Sequence, residues 1–75
     1  VYTPRNRDNF VRKGDLYELL VCHGGKWKSA GTQTAQADSL VFRNIPKHAL
    51  LLLRDLSRGE AERLFEYKDG VQEYW

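Results

Sequence analysis

The chain has 75 residues, enough for one small domain, and a domain of that size buries only about 60% of the surface its unfolded form exposes, leaving little room for an enclosed active site. An apolar share of 41% and a net charge of +2 exclude both a disordered tail and a polybasic nucleic-acid surface. A single cysteine, Cys22, excludes an internal disulfide, and no Cys/His spacing resembles a structural zinc site.

Methionine is absent, even at position 1, so the chain reads as a processed chain or a domain cut from a longer protein. No apolar run approaches the roughly 20 residues that span a bilayer, and no signal peptide is visible. Insertion into a membrane is not expected, and no cofactor or metal is implied.

Residues 1–13 mix Tyr2, Phe10 and Val11 with Pro4, Asn6, Asp8, Asn9 and three arginines. They read as an entering segment or linker with room for one short edge strand. The pattern changes at Gly14, and 14–75 is expected to be a single β domain.

Leu16–Cys22 and Lys26–Gly31 flank the pair Gly24-Gly25, and paired glycines supply the positive φ that a tight hairpin needs. Alternation puts Tyr17, Leu19 and Val21 on one face, with Leu16, Glu18, Leu20 and Cys22 on the other. Trp27 is expected to face the packed side of the sheet while Lys26 and Lys28 face water. Residues 32–39 read as a loop with a possible strand. Leu40–Arg43 resumes a β-rich pattern and stops at Asn44-Ile45-Pro46, where proline removes a donor.

His48–Leu56 contains Leu50 to Leu53, four consecutive large apolar residues. In a strand such a run needs cover on both faces, which predicts a central strand. A helical alternative exists: Asn44 and Ser57 could cap helices, and Ser57-Arg58-Gly59-Glu60 has the spacing of a capping box. Against it, Gly59 would fall in a first turn, the leucines would encircle the helix, and Phe65, Tyr67, Tyr74 and Trp75 favour strands. On the strand reading Leu56–Glu60 is a turn, Arg63–Tyr67 a strand, Asp69-Gly70 a hairpin turn and Val71–Trp75 the last strand. A two-residue turn would oppose Glu66 to Glu73, so a three-residue loop, Lys68-Asp69-Gly70, is preferred. The expected fold is all-β: a small antiparallel meander of roughly five to six strands forming a sandwich or partly open barrel.

Several motifs occur in order: Gly14-Asp-Leu-Tyr-Glu-Leu19, Gly25-Lys-Trp27, Val41-Phe-x-Asn-Ile-Pro46, Ala49-Leu-x-x-Leu-Arg54, Glu62-Arg-x-Phe65 and Asp69-Gly70 before Tyr74-Trp75. The series resembles the C-terminal β module of transglutaminase-like and discoidin-containing proteins exported by gut bacteria. That resemblance covers about residues 14–75 and implies an all-β accessory domain of a secreted or cell-surface bacterial protein, with an upstream domain of the same chain as its partner. No catalytic residue carries over. Val21, Cys22, Leu52 and Tyr74 stand where the family's pattern has aromatics. If Leu51 or Leu52 is exposed, the leucine strand is expected to be a docking piece; if both are buried, function is expected on the Trp27 and Trp75 faces.

Candidate chemistry is sparse. Cys22 and His23 are neighbours in a strand and point to opposite faces, which argues against a thiol–imidazole pair and against an enzyme. A pairing of Cys22 with His48 across strands stays open, although the commoner role for such a cysteine is a small core residue. Trp27, Tyr74 and Trp75, with Gln72 nearby in sequence, are candidate ligand-binding residues for a glycan or peptide, against the commoner role of aromatics as core. A single-stranded nucleic-acid-binding small β-barrel is the alternative, and the small net charge argues against it.

Overall fold

In a computed structural model, residues 9–46, 48–59, 61–68 and 71–72 are described. They contain no helix, and the strand reading holds for the described residues of the C-terminal half. The strands are β1 (Leu16–His23), β2 (Lys26–Thr34), β3 (His48–Asp55), β4 (Ala61–Lys68) and the two-residue β5 (Val71–Gln72). They form one antiparallel sheet in the order β2-β1-β3-β4-β5.

The glycine pair folds as expected. Gly24 and Gly25 have φ of 58° and 76°, and His23 pairs with Lys26 across them. Positive φ at both central residues is what a type I′ turn requires, and its twist matches that of the strands. Gly25→Val is expected to cost about 1–2 kcal/mol in urea unfolding, because a β-branched residue is strained at positive φ. Gly24→Asn is expected to change stability by less than about 0.5 kcal/mol, since asparagine suits the first turn position.

Three expectations are corrected. The sheet is not a meander: β3 pairs with β1 and not with β2. β2 and β3 therefore run parallel on either side of β1, and such strands need a crossover of about a dozen residues, here residues 35–47. Second, the expected sandwich or partly open barrel is not shown: the described residues form a single sheet, with no second sheet and no closed barrel among them. Leu40–Arg43 is not a strand; only Phe42 makes an isolated bridge. The Gln33 side chain occupies the backbone of Val41, donating from Nε2 to its carbonyl and accepting its N–H at Oε1, so a side chain takes the place of a neighbouring strand. Third, Lys68 pairs with Val71, which leaves a two-residue connection at 69–70 rather than three. Residues 69 and 70 and the pairing of Glu73 lie outside the described residues.

The core lies on one face of the sheet, called inner below. Tyr17, Leu19 and Val21 from β1 and Leu51 and Leu53 from β3 are buried there. The second layer is irregular chain: Phe10 and Val11 from the entering segment, and Ala35, Leu40 and Phe42 from the crossover, are buried against those strands. Reciprocal bonds join the two covering segments, Gly14 N to Ala35 O and Ala35 N to Asp15 O, both 2.9 Å. Tyr17 secures the first of them, its hydroxyl donating to Phe10 O at 2.8 Å and accepting from Arg12 N at 2.7 Å.

Candidate docking surface

The outer face is built by the alternate residues of the same strands. Register places Ser29, Leu20, Leu52 and Leu64 in one row across β2, β1, β3 and β4. Trp27 pairs with Cys22 in the next row. Trp27, Leu50 and Leu64 are 44%, 37% and 51% exposed, while Leu20, Cys22 and Leu52 are half-buried. No described residue forms a layer over this face, so a stripe of apolar side chains crosses four strands in contact with water.

Polar residues border the stripe. Arg54 binds Glu62 through Nε at 2.9 Å and Nη2 at 2.8 Å, and Ser29 Oγ donates to Glu18 Oε2 at 2.9 Å. Arg54 lies opposite Glu18 on β1 and Glu62 on β4, so these charges form a row one strand period from the leucines. On the other side, Glu66 lies opposite Leu50.

Trp27 does not face the packed side. A two-residue turn after His23 sets Trp27 opposite Cys22, and Cys22 is on the face of Leu20, away from Tyr17 and Leu19. That signal was present in the glycine pair. β2 also carries one extra residue: Leu19 pairs with Gly31 and Leu20 with Ser29, leaving Ala30 as a bulge. The bulge resets the alternation, so Thr32 and Trp27 share a face although they are an odd number of residues apart. Cys22 accordingly belongs to the outer face beside Trp27 and not to the core. His23 is exposed at the turn.

Of the other candidate ligand-binding residues, Gln72 pairs with Tyr67 at the far edge of the sheet. Trp27 and Gln72 are thus on opposite edge strands, about 19 Å apart at the usual strand spacing. Tyr74 and Trp75 lie outside the described residues. Leu51 belongs to the core and Leu52 to the outer row, so the leucine run splits between the two faces.

One cluster has the residue types of an active site. Arg58 Nε donates to Asp55 Oδ2 at 2.6 Å and to Asp15 Oδ2 at 2.9 Å, and its Nη2 donates to Phe10 O at 2.6 Å. Asp55, fully buried, also accepts from Ser57 N at 2.9 Å. The guanidinium carbons of Arg58 and Arg63 lie 5.7 and 4.7 Å from the Phe10 ring centre, a cation–π arrangement. Hydrogen bonding to Asp55 holds the Arg58 guanidinium further above its already high range. Burial pushes the Tyr17 phenol above its ordinary value. These groups already bind one another, and their effect is to clamp the entering segment and the β3–β4 turn to the sheet. Arg58 is 43 residues from Asp15, and no local pattern announces such a contact. Among the described residues no group of three His, Cys, Asp or Glu could hold a metal.

The fold and its faces define a class: an open antiparallel β domain with one side covered by irregular chain and an apolar stripe on the other. No family model, curated protein or solved structure matches the chain.

Proposed function

We propose that the chain is a non-catalytic accessory module that docks against another protein surface through the outer face of its sheet. The observation that carries this reading is the stripe of Trp27, Leu20, Cys22, Leu50, Leu52 and Leu64, contiguous across four strands and partly open to water. Contiguous exposed apolar area of this kind is characteristic of interaction sites, and tryptophan is enriched among the residues that dominate binding energy. The partner is a domain of the same longer protein, in keeping with the resemblance to modules of exported bacterial proteins. Packed on the stripe, that domain supplies the second layer of a sandwich.

The neighbours of Trp27 favour protein over glycan. A sugar site sets polar groups around its stacking ring to fix orientation, whereas Trp27 pairs with Cys22 and lies next to the leucine row. Glu18, Glu62 and Glu66 on the same face favour protein over a nucleic-acid phosphate backbone.

Cys22 reports on the interface because it is the chain's only cysteine. Its alkylation by iodoacetamide, followed by peptide mass spectrometry, is expected to be at least about tenfold slower in the longer protein than in the isolated domain, the change that occlusion worth about 1.4 kcal/mol produces. Leu64→Lys in the longer protein is expected to restore the fast rate without altering the fold. Equal rates in the two contexts would remove the proposal, and a glycan titration that shifts the Trp27 indole resonance would favour the sugar reading.

A further inference from the structure

At the end of the inner face where the covering layer stops, β2 and the end of the crossover enclose an open cleft of about 290 Å³. Val21 contributes to its lining from β1, with Lys28, Ser29 and Ala30 on the β2 side and Asn44 and Pro46 on the crossover side; His23 also lines it. Two backbone irregularities meet there. Ala30 is the bulged residue of β2, and Asn44 has a φ of 61°. Bulges re-aim side chains beside functional sites, and left-handed non-glycine residues concentrate at ligand clamps. Among the described residues, no acidic one lines the cleft. Among the described residues, neither the Lys28 nor the His23 side chain makes a hydrogen bond or ion pair.

We infer that the cleft binds a small carboxylate with an apolar body, such as the C-terminal residue of a peptide. The Lys28 ammonium supplies the charge, and the His23 imidazole and the Asn44 amide supply hydrogen-bonding capacity. Val21 and Pro46 offer apolar surface to the ligand body. One lysine matches a monoanion better than a phosphate dianion. A cleft of this size is at the lower limit for ligand pockets, so it holds one residue and not a chain. Val21 and Lys28, which pair across β1 and β2, place the site on the inner side of the sheet, whereas Trp27 and the leucines of the docking stripe are on the outer side.

The probes are N-acetyl-leucine and its neutral analogue N-acetyl-leucinamide, titrated into the ¹⁵N-labelled domain. The carboxylate is expected to bind with low-millimolar affinity, the range open to a ligand of about a dozen heavy atoms. It should shift the amide resonances of Val21, Ser29, Ala30 and Asn44, with the amide analogue at least about tenfold weaker. Lys28→Gln, at an exposed position, is expected to weaken the carboxylate by a similar factor while the rest of the spectrum stays unchanged. Ala30→Asp, which adds a carboxylate to the wall, should do the same. Equal affinities for acid and amide, shifts confined to Trp27, Leu50, Leu52 and Leu64, or no shift at these four amides would each overturn the inference.

Discussion

Leu53→Ala is expected to remove about 3–5 kcal/mol of stability, whereas Leu52→Ala, one residue away on the same strand, is expected to remove about 1 kcal/mol or less. Leu53 is fully buried between β1 and β4 and under the covering layer. Truncating such a leucine loses both its transfer energy and the contacts around the cavity it leaves. A chain of 75 residues has a total stability of only about 4–11 kcal/mol, so Leu53→Ala is expected to remove a large part of it. Leu52 is half-buried on the outer face, where a void opens to water and can be filled by it. Urea unfolding monitored by circular dichroism checks the pair. A cost at Leu52 equal to that at Leu53 would mean that the outer face is as fully covered as the inner one.

Asp55→Asn is expected to cost about 2–3 kcal/mol at neutral pH and to flatten the acid limb of the stability curve. Asp55 is buried with its carboxylate bound by Arg58 Nε and Ser57 N. Hydrogen bonds to a charged group are worth about 1.5–3 kcal/mol. Losing a buried ion-pair partner costs more, about 3–5 kcal/mol, but Arg58 keeps Asp15 and some contact with water. Burial raises the Asp55 pKa, while its hydrogen bonds with Arg58 and Ser57 lower it by more, leaving it below the ordinary 3.8. A carboxyl depressed in the folded state contributes its full stability above the unfolded value and loses it as the pH falls through the folded one. The wild-type chain is therefore expected to lose up to about 1.4 kcal/mol per pH unit from this group below pH 3.8, and Asp55→Asn is expected to lack that component. Urea midpoints between pH 2 and 6 check this, and parallel acid limbs for the two proteins would contradict it.

The strands β1, β3 and β4 were legible in the pattern of apolar residues, and the turn between β1 and β2 in Gly24-Gly25, because alternation and turn chemistry are local properties. The orientation of Trp27 was legible as well, once the two-residue turn is used to fix register. The β-rich composition of Leu40–Arg43 was misleading. Buried Leu40 and Phe42 belong to a covering layer, which needs apolar residues as much as a strand does but needs no ladder. The outer stripe could be suspected from four consecutive leucines that require cover on both sides, since the chain covers only one of those sides fully.

Local pattern thus established where the strands are and which residues share a face. Strand order, the crossover and the Arg58 clamp were set by contacts between residues distant in the chain. Periodicity records that a strand is half-buried or fully buried, not which strand lies beside it. β3 pairs with β1 because the apolar crossover residues then pack on Tyr17, Leu19, Leu51 and Leu53, and that balance of burial against loop closure exists only in the folded chain.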